Sequence, residues 1–457
     1  MRWRFAAVVA AALMVFGGSA PGAVPAAASQ HWLLVSDVHF DPFADPALVP
    51  KLAAAPATEW QRIFAPDRGA APSAYGADTN YTLLASSLHE MKASTPAPAV
   101  VVIAGDFLAH DFRKRYQSST HDTSEAGYER FVDRTIAFLA LEFRAMYPDA
   151  QFVPAAGNND SYCGDYEAAP RSPFFAHMAA AWGPLVTRGG RAPGFLREFG
   201  ANGHYVASTG LGIGIVVPNS VYWSARYRDA CGTATNPPAA EEAWFSGALA
   251  SLPARRRWVV THIPAGIDAY ASQYGPPVTM YGPANVAAVP ASIDRAAVRT
   301  VLVGHVHMND LRVTRAGSPL LLIPSISPVF ANNPAYLDAT VGPDGIADFT
   351  AYVLPLGGAH AAPRWAREYR FSAAYGVKGI SGAAVHALHA RIATDPAVRN
   401  RWARYYTSES LKGAISPSNW RGYWCAQTAL RPDAYAACAA TPSPPPSALP
   451  QPSPGPT

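Results

Sequence analysis

The sequence predicts an α/β fold in which sheets are covered by helices. Across residues 31–354, short apolar runs rich in Val, Ile and Leu alternate with longer amphipathic or loop-like stretches. Such alternation is typical of α/β layering, and a short continuous apolar run is typical of a strand buried on both faces. Strands are predicted at residues 32–36, 99–104, 152–155, 213–217, 258–261, 300–303 and 320–323.

Helices are predicted between these strands, the first two of them from apolar spacing near 3.6 residues. Leu84, Leu88 and Met91 would share one face of the first of them. The helices are predicted at residues 82–91, 125–146 and 239–252.

Composition and charge indicate a globular protein without a nucleic-acid partner. The 457 residues are 49% hydrophobic and include 11 Trp, 21 Tyr and 19 Phe, which is enough to bury a large core. Lys and Arg together number 36 against 32 for Asp and Glu, and no long basic run occurs. The electrostatic footprint of nucleic-acid binding is therefore missing from the sequence.

The two ends of the chain differ from its middle. Residues 1–28 have the charged start, apolar run and small-residue cleavage site of a secretory signal peptide, so we expect a secreted, periplasmic or extracellular protein. The apolar run is shorter than the roughly 20 residues of a membrane anchor, and no transmembrane segment is predicted. Residues 29–356 are predicted to form the main α/β domain, residues 357–440 a helical cap without strands, and residues 441–457 a Pro/Ser-rich disordered tail or tether.

Four cysteines remain in a chain that is predicted to be exported, where disulfides persist. Their number allows three pairings. We favour Cys163 with Cys231 and Cys425 with Cys438, the second of which would close a short loop. A cysteine metal site is the rival interpretation, but no Cys-x-x-Cys spacing occurs.

Polar groups that can bind metal follow five of the predicted strands. A Gly-Asp after a strand is usually a turn, and a lone His is usually structural, so the set is more informative than any member. Ligands in open α/β folds gather at the carboxyl ends of strands. In the first motif, alternation along an extended segment would point Asp37 and His39 to the same side. The motifs are Asp37-Val38-His39, Gly105-Asp106 with His110-Asp111, Gly157-Asn158-Asn159-Asp160, His262 and Gly304-His305-Val306-His307.

This order of motifs resembles the calcineurin-like metallophosphoesterases over about residues 32–354. His110-Asp111 after Gly-Asp, and the segment from Ile323 to Tyr336, are similar to the acid sphingomyelinase-like branch, although the saposin domain of acid sphingomyelinase is absent. The resemblance implies a metallophosphoesterase-type β-sandwich of two mixed sheets flanked by helices, with a small C-terminal helical region.

The resemblance also implies a dinuclear metal site. Asp37, His39 and His307 would hold one ion, while Asn158, His262 and His305 would hold the other. Asp106 would bridge them. Imidazole and carboxylate ligands suit two divalent ions, with Zn expected and Fe or Mn as alternatives. A bridging hydroxide would then attack the phosphorus in line.

One position departs from the family pattern. Asn159 stands where a His is usual, and its amide can donate a hydrogen bond to a phosphoryl oxygen but cannot deliver a proton. His110, which matches a catalytic His of the acid sphingomyelinase-like branch, is left as the general acid. Asp111 would either orient His110 or cap a turn.

The leading functional hypothesis is a secreted hydrolase of phosphodiesters or phosphomonoesters with a small-molecule or lipid-derived substrate. The alternative is a phosphoanhydride hydrolase acting on nucleotides or polyphosphate, whose good leaving groups would tolerate Asn159. A hypothesis of a different class is an inactive metal-binding surface protein. The complete ligand set favours an enzyme, because a decayed site would be expected to lose at least one ligand.

Overall fold

A computed structural model describes residues 29–66, 70–229, 236–357 and 363–440. The predicted signal peptide, Cys231 and the Pro/Ser-rich tail lie outside the described residues, so the expectations about them stay predictions. The pairing of Cys425 with Cys438 is confirmed.

Twelve strands in the described part of the chain form two six-stranded sheets. The first sheet has the order β12-β11-β10-β1-β2-β3, and the second has the order β4-β5-β6-β7-β9-β8. The strands are β1 (Gln30–Val35), β2 (Val100–Ile103), β3 (Gln151–Pro154), β4 (Tyr205–Ser208), β5 (Gly214–Val217), β6 (Arg257–Thr261), β7 (Thr300–Val303), β8 (Asp310–Val313), β9 (Pro319–Leu322), β10 (Ala335–Gly342), β11 (Gly345–Val353) and β12 (Ala366–Arg370).

Helices cover these sheets and make up most of the C-terminal region. Several begin at side-chain caps; Ser124, for example, accepts a hydrogen bond from the backbone N–H of Gly127 at the start of the longest helix. The helices are α1 (Val49–Ala54), α2 (Ala57–Ile63), α3 (Tyr81–Ser94), α4 (Phe112–Thr120), α5 (Glu125–Met146), α6 (Pro173–Val186), α7 (Phe195–Asn202), α8 (Pro237–Ser251), α9 (Asn285–Arg295), α10 (Phe371–Tyr375), α11 (Gly382–Thr394), α12 (Pro396–Tyr406), α13 (Trp420–Ala426) and α14 (Pro432–Ala440).

Both sheets are mixed, and their parallel strands position the site. Strands β1, β2 and β3 are parallel neighbours, as are β5, β6, β7 and β9. The remaining pairs are antiparallel. Because parallel strands end at the same edge of a sheet, the segments that follow them lie close together.

The two sheets pack face to face. The rings of Trp32 and Trp258, one from each sheet, have centroids 5.1 Å apart and are almost completely buried. Hydrogen bonds also join the sheets, since the Tyr205 hydroxyl donates to the carbonyl of Pro154 at 2.9 Å. The predicted β-sandwich of two mixed sheets flanked by helices is therefore confirmed.

The seven predicted strands are present with ends shifted by at most two residues. The strand predicted at residues 300–303 and the helix predicted at residues 125–146 have those bounds. The expectation of no strand in the C-terminal region is wrong, because β12 pairs with the edge of the first sheet. Three of the five residues of β12 are charged, and most of the strand is exposed. The sequence therefore has no continuous apolar run at this place from which a strand could be predicted.

The C-terminal helices are fixed to the second sheet by a buried carboxylate. Asp310 in β8 accepts hydrogen bonds from the indole of Trp402 at 3.0 Å and from the amide of Gln427 at 2.8 Å. A disulfide joins Cys425 to Cys438 farther along the same region. Within the described ranges, no helix combines the length and apolar character needed to cross a bilayer.

The contact between the sheets provides a test of the packing. Replacing the fully buried Trp32 by Ala should lower the free energy of unfolding by about 3–5 kcal/mol, because a large cavity would remain beside Trp258. Urea denaturation monitored by circular dichroism measures the loss. Leu196→Ala, at a position that is 58% exposed, should change stability by less than about 0.5 kcal/mol. Equal losses in the two variants would contradict this packing.

Candidate metal centre

The motif residues after the strands adopt a backbone conformation that side chains seldom tolerate. The φ angles are 49° at Asp37, 40° at His39, 56° at Asp106, 71° at His305 and 65° at His307. Non-glycine residues with positive φ cost free energy and cluster at functional sites. The expected extended alternation at Asp37 and His39 is therefore wrong, although both side chains still lie close to His307.

Backbone hydrogen bonds between adjacent loops hold this conformation. The N–H of Asp37 donates to the carbonyl of Gly105 at 3.0 Å, and the N–H of His39 donates to the carbonyl of Asp106 at 2.9 Å. Glycine is required where loops approach the carboxylates, since a Cβ on Gly157 would lie 2.1 Å from Oδ1 of Asp106. The loops after β1, β2 and β3 thus form one rigid assembly.

Asp37, His39 and His307 form the first cluster. Nε2 of His307 lies 3.3 Å from Oδ1 of Asp37 and 3.2 Å from Nε2 of His39. Nδ1 of His39 lies 2.9 Å from the carbonyl of Leu108, so that this nitrogen donates and Nε2 keeps its lone pair. The predicted members of the first ligand set are brought together.

Asp106, His262 and His305 form the second cluster, with Asn158 beside it. Nε2 of His262 lies 3.2 Å from Oδ2 of Asp106, 2.9 Å from Oδ1 of Asn158 and 3.3 Å from Nδ1 of His305. Nδ1 of His262 donates to the carbonyl of Ala104 at 2.7 Å. The predicted second set is also assembled.

Asp106 lies between the two clusters. Its Oδ2 is 3.3 Å from Nε2 of His39 and 3.2 Å from Nε2 of His262. The carboxylate comes from the first sheet and His262 comes from the second, so the centre lies where the two sheets meet. This is the position that a bridging ligand requires.

Burial sets the protonation of the histidines. Burial lowers the pKa of His39 to about 4 and that of His305 to about 3, and it holds the pKa of His307 well below its ordinary value. These three imidazoles are therefore neutral at pH 7, and neutral imidazole is the form that binds metal.

The charged groups of the centre shift one another's pKa values. Burial raises the pKa of Asp37 to about 7. Burial would also raise the pKa of Asp106, but nearby His262 and His39 outweigh it and hold this pKa well below its usual range. Burial lowers the pKa of His262, yet Asp106 outweighs burial and raises it to about 9. The carboxylates lie in a desolvated space where positive charge is stabilising.

The residues present fit divalent cations. Buried imidazoles, carboxylates and one amide oxygen converge here, and the ligand atoms of each three-residue cluster lie within 4.8 Å of one another. This donor set suits Zn, Fe or Mn.

Asp160, the last residue of the Gly-Asn-Asn-Asp motif, fixes the loops and does not join either cluster. Its carboxylate accepts hydrogen bonds from the backbone N–H groups of Asp106 at 3.0 Å, Phe107 at 2.9 Å and Gly157 at 2.8 Å. A buried carboxylate with these donors holds the turn that presents Asp106.

Asn159 contacts the central carboxylate directly. Its side-chain amide donates to Oδ2 of Asp106 at 3.0 Å, and its backbone N–H donates to Oδ1 at 2.8 Å. The amide nitrogen carries two N–H donors, so the predicted hydrogen bond to a phosphoryl oxygen stays a prediction. The side chain is nearly buried.

His110 has a different partner from the one expected. Its Nδ1 lies 2.9 Å from Oδ1 of Asp78, and its backbone N–H donates to Oδ2 of Asp78 at 2.9 Å. The ring stacks on His39 with centroids 4.2 Å apart. Asp111 is exposed and makes no capping hydrogen bond at the start of α4, so neither role expected for it is found.

Asp78 is the functional candidate that sequence reasoning missed. It follows a stretch without a readable motif, and only the fold brings it to His110 and to Ser327, whose hydroxyl lies 3.3 Å away. Burial raises the pKa of Asp78, but His110 and His39 outweigh burial and lower it below its ordinary value. Burial lowers the pKa of His110, and the hydrogen bond and charge of Asp78 outweigh burial and raise it.

Several phosphodiesterases are similar in sequence to most of this chain, although no protein-family model matches it. Acid sphingomyelinase-like phosphodiesterase 3b of Homo sapiens is 24% identical, covering 88% of this chain and 89% of that protein. Sphingomyelinase phosphodiesterase D of Dictyostelium discoideum is 24% identical over 75% and 76% of the two chains. A cyclic GMP-AMP phosphodiesterase of Mus musculus is 24% identical over 85% of each.

These relatives confirm the class that the fold and the clusters define, a metal-dependent phosphoric ester hydrolase. Within that class, the predicted resemblance to the acid sphingomyelinase-like phosphodiesterases is confirmed.

Metal binding should be measurable without an activity assay. Adding Zn²⁺ to metal-free protein should raise the thermal unfolding midpoint, since free metal at 100 times the Kd stabilises by about 2.7 kcal/mol per site. His262→Ala should abolish much of this rise because a buried ligand of the second cluster is lost. Differential scanning calorimetry measures both effects.

The matched control is His204→Ala, which removes a buried histidine bonded to Glu241 outside the clusters. This variant should be less stable than the natural protein but keep the full rise with Zn²⁺. A rise of unchanged size in His262→Ala would exclude His262 as a ligand.

Proposed function

We propose that the protein is an exported, dinuclear-metal phosphodiesterase. The observation that carries the proposal is the contact of one carboxylate, Asp106, with imidazoles of both clusters. The names of the similar proteins, which are phosphodiesterases, favour a diester as the substrate. The Cys425–Cys438 disulfide supports export, because disulfides persist outside the cytoplasm.

In this proposal Asp37, His39 and His307 hold one ion, and Asn158, His262 and His305 hold the other, with Asp106 shared. Two divalent ions, which we propose to be Zn with Fe or Mn as alternatives, would supply Lewis acidity and a water of lowered pKa. The chain's own contribution is to fix these groups in one geometry before substrate arrives. The strained turns and the hydrogen bonds to Asp160 serve that purpose.

His110 is proposed to protonate the leaving oxygen. Asp78 occupies Nδ1, so Nε2 is the ring nitrogen that remains to transfer a proton. The attacking water gives one proton to bulk solvent as its oxygen bonds to phosphorus. The bond from phosphorus to the leaving oxygen breaks, and that oxygen takes the proton from His110, which is left neutral. Asp78 would hold the ring in the required tautomer and orientation, as buried carboxylates do for catalytic histidines elsewhere.

Asn159 is proposed to position Asp106 through its amide. A neutral amide cannot act as an acid, so no second proton donor stands at this motif position. This observation also favours a second candidate, the hydrolysis of phosphoanhydrides, because their leaving groups need little protonation. In either case the substrate would be a small-molecule or lipid-derived phosphate compound.

The basic test is hydrolysis of a chromogenic phosphodiester, a phosphomonoester and a nucleotide, each with added metal and with chelator. Metal-dependent turnover of the diester above the other two supports the proposal. Turnover of the nucleotide alone would favour the phosphoanhydride candidate. Tight metal binding without any turnover would indicate the inactive surface protein.

Removing the shared charge should abolish catalysis. Asp106→Asn should lower kcat by more than about 10²-fold and reduce metal content below two ions per chain. Even the loss of a residue that only hydrogen-bonds to a metal ligand typically lowers metal affinity or activity by about 10- to 100-fold. Turnover of the chromogenic diester and elemental analysis measure the two effects. Asp348→Asn, which removes a buried carboxylate bonded to Arg370, is the control and should keep both metals. Two metals and full turnover in Asp106→Asn would disprove the bridging role.

The proton donor can be identified with two leaving groups. His110→Ala should lower kcat/KM for an alkyl phosphodiester by about 10²- to 10⁴-fold, the usual contribution of general acid catalysis. The effect on a p-nitrophenyl diester should be far smaller, because p-nitrophenolate leaves without a proton. The Asp78→Asn variant should show the same selective loss in weaker form.

His389→Ala is a matched control, since His389 also stacks on an aromatic ring, that of Trp424, but far along the chain from the motifs. It should affect neither substrate. Equal losses on both substrates in His110→Ala, with metals retained, would instead assign His110 to binding of the phosphoryl group.

A further inference from the structure

An exposed phenylalanine lies against the candidate metal centre. The side chain of Phe330 is 55% exposed. Its ring centroid lies 4.6 Å from that of His307, with planes at 77°, and 5.7 Å from that of His110, with planes at 86°. The ring therefore meets both imidazoles edge to face and leaves apolar surface open to solvent.

Isolated exposed hydrophobic residues are normal on a protein surface, so exposure alone does not indicate a function for Phe330. Its position beside the histidines does. Among the large hydrophobic side chains that are exposed within the described ranges, Phe330 is the one with ring contacts to these histidines. The others are Leu196, Tyr270, Tyr274, Val278 and Leu411.

The backbone around Phe330 is held from several sides. The carbonyl of Pro328 accepts hydrogen bonds from the N–H groups of Gly76 at 3.1 Å and Ala331 at 3.0 Å. The hydroxyl of Ser410, from the loop after α12, donates to the carbonyl of Ala331 at 2.5 Å. An exposed ring on a fixed backbone is organised before any ligand binds, which lowers the entropy cost of binding.

We propose that Phe330 is a specificity-determining residue, whose open face stacks on a planar aromatic group of the alcohol that leaves the phosphorus. The leaving side is assigned because Phe330 contacts His110, the proposed proton donor to the leaving oxygen. The inference thus rests on the proposed phosphodiesterase function. Stacking of one aromatic pair changes binding by about 2- to 12-fold beyond apolar contact alone.

The test uses two phosphodiesters that differ in planarity but not in size, benzyl methyl phosphate and cyclohexylmethyl methyl phosphate. With the metal-loaded full chain, Phe330→Leu should lower kcat/KM for the benzyl ester by about 2- to 12-fold and leave the cyclohexylmethyl ester nearly unchanged. Phe330→Trp should keep or increase the preference for the benzyl ester. Leu411→Ala, at another exposed apolar position, should change neither ester.

Binding provides a readout that is independent of turnover. Calorimetric titration with benzylphosphonate should give a weaker Kd in Phe330→Leu by the same factor, whereas cyclohexylmethylphosphonate should bind both proteins alike. Equal losses on the planar and non-planar compounds would overturn the inference and indicate simple apolar packing. Failure of the natural protein to hydrolyse any diester with both metals bound would overturn the proposed function, and this inference with it.

Discussion

The placement of one desolvated carboxylate between imidazoles from two sheets is the constraint on which the rest of this structure depends. Asp106 follows β2 of the first sheet, while His262 follows β6 of the second, and the two side chains lie 3.2 Å apart. An uncompensated charge at such a depth is costly. The two sheets must therefore meet at this edge so that their loops lie close together. Divalent cations would compensate the negative charge of Asp106.

The backbone around the centre carries strain for the same reason. Five of the candidate ligands have positive φ, a conformation that neighbouring loops impose through hydrogen bonds. Asp160 gathers four backbone N–H groups of this region on one carboxylate. Rigid packing of the sandwich, with Trp32 against Trp258, is what can hold strained turns in place.

The rim of the site is built from segments that are distant in the chain. Asp78 reaches His110 from the loop before α3, and Phe330 reaches the same histidine from the loop before β10. The loop after α12 in turn holds the Phe330 segment through Ser410. The helical part of the C-terminal region thereby takes part in shaping the entrance.

The sequence by itself determined the α/β class, the seven apolar strands and the side chains that gather after them, because buried parallel strands and strand-end ligands leave continuous local patterns. It also predicted the Cys425–Cys438 pair, which closes a short loop. Only the tertiary structure decided the partner of His110, since Asp78 lies 32 residues away along the chain and no periodicity links them. The same holds for β12, a charged and mostly exposed strand that is specified by its pairing with β11, and for the hydrogen bond from the Asn159 amide to Asp106. Contacts of this kind depend on how loops from separate strands approach one another in space, and local sequence patterns carry no information about that approach.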